Sequence, residues 1–228
     1  GYYCNTIQYA EHRKTLENVI CTAGKFGATH VSTFAGAWEG KPVESAYEEF
    51  GKVFRELADL AEEKGVKLGI ENCLMDGTWE HATCNIGFNP KAWEVMFEEV
   101  KNDNFGLEWE PTHQMVQLID PVTELRKWCK KIVHIHGKDA TIDWDAVRHS
   151  GISGAVPFVW HRMPGFGDTN WRDIISILRS NGYEDDICIE GYHDPVYSGE
   201  LEMTGQLHAL NYLKWCRGGE FTPTPWAK

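Results

Sequence analysis

The sequence lacks three signatures that would each point to a class. There is no CxxC pair: Cys4, Cys21, Cys73, Cys84, Cys129, Cys188 and Cys216 are odd in number and scattered. That argues against a zinc ribbon or a disulfide framework and for reduced thiols in a cytoplasmic enzyme. No apolar run approaches the ~20 residues of a membrane span, and nothing at the start resembles a signal peptide. Positive charge is scarce, with 22 Lys and Arg against 34 Asp and Glu, a formal net charge of −12. Phosphate backbones are held by Lys and Arg, so nucleic acid and anionic membranes are disfavoured as partners and a small neutral substrate is favoured.

What is present is an alternation of helical and strand-like patterns along 228 residues, 42% of them hydrophobic, enough for one substantial core. Residues 11–26 carry Leu16, Val19, Ile20 and Ala23 at helical spacing. A strand is expected at 29–34, then a helix over 45–64 with Tyr47, Phe50, Val53, Phe54, Leu57, Leu60 and Ala61 inward and Gly65 as its stop. Further helices are expected from Asn89-Pro90, over 121–131, over 170–181 and over 201–215. Repeated β-α units imply a parallel sheet. The stretch 140–164 fits neither period and reads as an active-site loop or an insertion. The expectation is a single domain over 1–228 ending in an irregular tail at 218–228.

Four strand-like segments stop at a residue able to bind a divalent metal: 67–70 at Glu71, 105–109 at Glu110, 132–135 at His136 and 186–189 at Glu190. Three carboxylates and one imidazole suit Mn²⁺, Mg²⁺ or Co²⁺ better than a thiolate-loving ion. In a parallel sheet such C-terminal strand ends meet on one face, where (β/α) barrels carry out their chemistry. Glu108 and His134, two residues ahead of Glu110 and His136, are read as pointing elsewhere, Glu108 to the surface or between layers and His134 into the core. Trp38, Trp79, Trp109 and Trp160 are candidates to stack on a sugar, since an indole face packs on C–H surfaces. Trp93, Trp128 and Trp215 read as helix core. Only five strands can be counted, whereas a closed barrel needs eight. The first strands are therefore expected to lie outside this chain, with 1–5 a loop after a preceding strand and an open edge beside 29–34.

Five ordered blocks carry a resemblance. They are Ile70-Glu71-Asn72, then Gly106-Leu107-Glu108-Trp109-Glu110-Pro111-Thr112-His113, then His134-Ile135-His136-Gly137-Lys138-Asp139, then Arg162-Met163-Pro164-Gly165-Phe166-Gly167-Asp168 with Trp171, and Ile189-Glu190 followed by Asp194-Pro195. Together they resemble the xylose isomerase-like TIM barrel superfamily, the sugar phosphate isomerase/epimerase family related to AP endonuclease 2. The resemblance implies an α/β fold of the TIM (β/α)8 type, with one metal held by Glu71, Glu110, His136 and Glu190. Glu110 stands where the family has Asp, and Gly191-Tyr192-His193 replaces a more acidic stretch.

The same resemblance implies that Glu71 and Glu190 are the catalytic pair and that His113, Arg162 and Lys138 bind substrate, to which Trp38 is added as a stacking indole. The metal would be Mn²⁺ first, with Mg²⁺, Co²⁺ or Zn²⁺ as alternatives. The implied activity is a metal-dependent isomerase or epimerase of a keto-sugar or sugar phosphate, abstracting a proton next to a carbonyl through an enediolate. The alternatives are a lyase or dehydratase acting on an inosose or 3-keto-sugar, and an inactive sugar-binding or partner subunit. The partner is a carbohydrate, with neither nucleic acid nor membrane, and a homo-oligomer is compatible with all of this. A DNA-repair endonuclease of the same superfamily would need more metal-binding histidines and a basic groove.

Overall fold

The structure, a computed structural model, describes residues 2–220 and 222–225. In chain order come helix α1 (Ala10–Ala23), strand β1 (His30–Thr33), α2 (Tyr47–Glu63), β2 (Lys67–Glu71), α3 (Pro90–Glu99), β3 (Phe105–Trp109), α4 (Pro111–Met115), α5 (Pro121–Trp128) and β4 (Ile132–Gly137). They are followed by β5 (Asp139–Ile142), α6 (Trp144–Ser150), β6 (Val159–Arg162), α7 (Trp171–Ser180), β7 (Ile187–Ile189) and α8 (Glu202–Arg217). The chain divides into two compact units, Gly1–His136 with Asp185–Cys188, and Gly137–Glu184 with Ile189–Lys228.

In the first unit the sheet order is β1-β2-β3-β4-β7, and β1 to β4 pair in parallel. Helix α2 covers this sheet because its apolar residues repeat at three and four: Phe50, Val53, Phe54, Leu57, Ala58 and Ala61 are all buried. Phe54 meets Phe105 of β3 with ring centroids 6.0 Å apart, and Phe97 of α3 closes on the same ring at 5.6 Å. Each such side chain contributes about 1.5–3 kcal/mol by leaving water. Helix starts are capped as their sequences suggest. Asn89 accepts from Lys91 N ahead of Pro90, and Asp120 accepts from Thr123 N ahead of Pro121. Gly65, at φ +69°, turns the chain from α2 into β2.

Between β3 and β4 the register slips at Leu107/Glu108: Leu107 pairs with Ile132 but Glu108 with His134, leaving Val133 as an extra residue. The bulged Val133 fills the space over Gly69 and Gly106, which are themselves register partners. A Cβ on Gly106 would run into the Lys131 carbonyl oxygen and come 2.6 Å from Val133 Cγ1; one on Gly69 would come 2.8 Å from Val133 Cγ2. At the β1 edge, Tyr2 N–H donates to Ser32 O at 2.7 Å, so residue 2 lies along that strand.

In the second unit the stretch expected to be irregular is ordered: β5 and β6 form an antiparallel pair with Asp139 opposite Arg162, and α6 lies between them. Its sequence hides this because the strands are four residues each and 16 residues separate them, a count read from their bounds. Helix α7 buries Ile174, Ile175, Ile177 and Leu178, and Asn170 caps it by accepting from Asp173 N. The short α4 had no periodic signal. Trp93 is fully buried as expected and Trp128 partly so, but Trp215 is largely exposed. Of the tail, 218–220 and 222–225 form neither helix nor strand, while 221 and 226–228, like Gly1 of the expected leading loop, lie outside the described residues. All seven cysteines are unpaired with one another.

Candidate metal centre

Glu71 is the last residue of β2, Glu110 the first after β3, and His136 the penultimate residue of β4. One side-chain donor atom from each lies within 4.8 Å of the others. His136 Nδ1 is 3.5 Å from Glu71 Oε1 and 3.4 Å from Glu110 Oε2. Hydrogen bonds from asparagine side chains to the backbone fix the platform. Asn72 Oδ1 accepts from Glu110 N at 2.7 Å while its Nδ2 donates to Glu110 O at 2.9 Å, and Asn85 Nδ2 donates to Glu71 O at 2.9 Å. Asn72 stood in a signature block without a role, and only pairing across β2 and β3 reveals one.

His113, one helical turn beyond Glu110 on α4, brings Nε2 to 3.3 Å from Glu110 Oε1 and 3.6 Å from Glu71 Oε1. Burial disfavours the charged imidazolium of His113, yet Glu110 foremost, with Cys73 and Glu71 hydrogen-bonded to it, holds its pKa well above the usual range. His136 behaves alike: burial opposes its charge, and hydrogen bonds to Glu108, Glu110 and Glu71 outweigh it.

These residues fit a divalent ion. Donor atoms separated by 3.4–3.5 Å are the edges of a coordination polyhedron whose centre is about 2.1 Å from each, the distance expected for O and N ligands. These buried carboxylates raise the pKa of both imidazoles, so the pocket favours positive charge, which a divalent ion would supply.

Glu108 is not where it was expected, and His134, buried as expected, lies on an unexpected side. Residues two apart along a strand share a face, so Glu108 points to the side of Glu110, and His134 to that of His136. Glu108 is buried: Oε1 accepts from Ser32 Oγ at 2.5 Å and lies 3.3 Å from His136 Nε2, and Oε2 accepts from Tyr3 OH at 2.8 Å. Burial raises its pKa, but His136, Ser32 and Tyr3 together keep it below the ordinary carboxylate value. The His134 ring stacks on His30 with centroids 4.0 Å apart and planes at 24°. Burial, then the neighbouring His30, pushes the His134 pKa down to about 4. His30, Glu108 and His134 also lie within 4.8 Å of one another. Imidazoles stacked face to face aim their in-plane lone pairs side by side rather than at a shared point, so this trio is a packed pair beside a carboxylate.

In the second unit, Glu190 follows β7 and its N–H donates to Gly137 O at 3.1 Å. Lys138 Nζ, almost fully buried, donates to Glu190 Oε1 at 3.0 Å. Arg162, at the end of β6, is tied by Nε to Asp194 Oδ2 at 3.3 Å, and that carboxylate also accepts from Met163 N, Val196 N and Tyr197 N. Trp38 is half-buried in a turn closed by Lys41 N–H donating to Trp38 O at 3.0 Å. Trp109, a candidate for sugar stacking, is fully buried instead and donates from Nε1 to Gln114 Oε1 at 2.9 Å. Trp79 donates to Glu44, and Trp160 is exposed on β6.

A family model described as xylose isomerase-like TIM barrel matches residues 5–214. An inosose dehydratase of Clostridium tetani is 26% identical over 182 residues, covering 78% of this chain and 57% of the relative. The chain thus spans a little over half the length of that curated relative. A xylose isomerase domain protein from Planctomyces limnophilus superposes with a TM-score of 0.70 at 20% identity, over 94% of this chain and 68% of the other. The IolI protein, solved with a bound zinc atom, superposes with a TM-score of 0.63 at 22% identity, over 91% and 68%. Among the described residues no helix is long and apolar enough to cross a membrane.

Proposed function

Since this chain belongs to the xylose isomerase-like TIM barrel family, we propose that it is part of a metal-dependent dehydratase acting on a cyclic or open polyhydroxy ketone of the inosose kind. The convergence of Glu71, Glu110 and His136 at three adjacent strand ends carries this reading. Elimination is preferred to epimerisation because the curated relative is a dehydratase. The isomerase or epimerase that the resemblance implied first shares its opening step, removal of a proton next to a carbonyl, with the elimination preferred here, and the dehydratase relative favours the alternative.

Glu71, Glu110 and His136 would hold the ion, and Glu190 would be the fourth ligand by its place in the signature. A bound divalent ion supplies a Lewis acid that polarises the carbonyl and adjacent hydroxyl of the substrate. Mn²⁺, Co²⁺, Mg²⁺ and Zn²⁺ all accept this donor set. Glu71 or Glu190 removes the carbon-bound proton. Lys138, donating to Glu190, steadies that carboxylate and offers a proton to the departing hydroxyl. His113 donates to the developing oxyanion, and Arg162, steadied by Asp194, orients substrate hydroxyls with Trp38 as a stacking wall. Seven cysteines with no disulfide among them favour a reducing, cytoplasmic setting, and self-association is compatible with this reading.

The deciding experiment incubates the protein with an inosose and Mn²⁺ in D₂O and follows the products by NMR. Loss of water with deuterium entering next to the ketone is the expected result. Deuterium exchange with inversion and no loss of water would establish the epimerase reading. Neither exchange nor turnover by protein shown to hold metal would remove both.

A further inference from the structure

We infer that Glu108 is a positioning residue that sets which nitrogen of His136 faces the ion; this rests on the metal reading of Glu71, Glu110 and His136. The argument is one of donors and acceptors. Ser32 Oγ gives its proton to Glu108 Oε1 at 2.5 Å and Tyr3 OH gives its proton to Oε2 at 2.8 Å. A carboxylate already taking two hydroxyl protons acts as an acceptor toward its third neighbour. That neighbour is His136 Nε2, 3.3 Å from Oε1, so Nε2 carries a proton and donates. Nδ1, on the other side of the ring, lies 3.4 Å from Glu110 Oε2 and 3.5 Å from Glu71 Oε1. The ring is therefore presented with Nδ1 toward the ion and its Nε2–H anchored below by a negative charge. Such a carboxylate makes the ligating nitrogen more basic and fixes the ring plane.

The β4 bulge at Val133 makes this possible, because it sets His134 opposite Glu108 and brings His136 over the Glu108 carboxylate. Tyr3 and Ser32 reach the Glu108 carboxylate from the N-terminal segment and β1, and His136 reaches it from β4, so three segments of the first unit converge on one carboxylate.

The test titrates wild type, Glu108→Gln and His136→Ala with Mn²⁺ by calorimetry, records the visible spectrum of each with Co²⁺, and records imidazole ¹⁵N spectra of wild type loaded with Zn²⁺. Glu108→Gln keeps the shape but not the charge, and should weaken Mn²⁺ binding by roughly 10–100-fold and shift the Co²⁺ bands. Glu108→Asp should recover part of the loss. The ¹⁵N spectrum should show His136 protonated at Nε2 and metal-bound at Nδ1. Wild-type affinity with an unchanged Co²⁺ spectrum in Glu108→Gln, or a metal on Nε2, overturns the inference. If Glu108→Gln does not fold, the wild-type ¹⁵N spectrum decides. If wild type takes up no Mn²⁺, or His136→Ala binds it as tightly as wild type, the metal reading itself falls.

Discussion

Replacing Glu71 by Gln keeps the size of the side chain and one oxygen donor, but removes its capacity to accept a proton. Mn²⁺ affinity should drop modestly while turnover falls by roughly 10²–10⁴-fold, the range for loss of a general base. Glu110→Gln should act in the other order, weakening metal uptake first, because Glu110 is fully buried with His113 and His136 against it. Calorimetry and steady-state rates on the two variants check the contrast, and equal losses in both quantities for both variants would contradict it. At this scale the strand-end positions of Glu71, Glu110 and His136 were legible because a run of apolar β-formers broken by a charged residue marks where a strand stops. The side of Glu108 and His134 was equally legible, since an interval of two leaves a side chain on the same face, and the expectation failed by ignoring that interval. The partners of Glu108 were not legible. Tyr3 and Ser32 reach it from 105 and 76 residues away, and only a folded chain sets that pairing.

At the scale of elements, the ends of helices α2 and α7 could be read to within one or two residues, because each buries one stripe and is bounded by Gly or an Asn cap. Strands β5 and β6 were missed, since four-residue strands leave no periodicity and antiparallel pairing is invisible without the register. The interior elements also respond sharply to volume. Gly106→Ala would drive a methyl group against the Lys131 carbonyl and Val133. We expect it to destabilise the protein by about 1–3 kcal/mol, the range for overpacking. Phe54→Ala, which empties space against Phe50 and Phe105, should cost about 3–5 kcal/mol. Urea unfolding midpoints measure both, and a Gly106→Ala midpoint equal to wild type would show that β3 and β4 can separate without penalty.

At the scale of the whole molecule, two conditions should move stability. Ion binding to the folded form alone adds about 2.7 kcal/mol at a free concentration of 100 Kd. The melting temperature should therefore climb with added Mn²⁺ and return on chelation, and His136→Ala should be insensitive to both. Acid acts elsewhere. Burial raises the Asp194 pKa, but hydrogen bonds from Tyr197, Met163 and Val196 and the charge of Arg162 hold it below the ordinary value. A carboxylate with a depressed folded-state pKa stabilises fully above its unfolded value, near 3.9, and loses that contribution as pH falls through the folded value. The gap in melting temperature between wild type and Asp194→Asn should be widest near neutrality and should narrow below about pH 4. A gap independent of pH would assign the effect to shape rather than charge.

The slipped register at Val133 also constrains ancestry. A Cβ at Gly106 meets backbone, which no neighbouring substitution can remove, so that position is closed to drift. The obstacle at Gly69 is chiefly a methyl group of Val133, so a lineage that first shortens residue 133 gains access to alanine at 69, and one that tries the reverse order is purged. Descendants should therefore carry alanine at 69 only where residue 133 has also been shortened. The order in which they arose would be recorded in which single variant still folds.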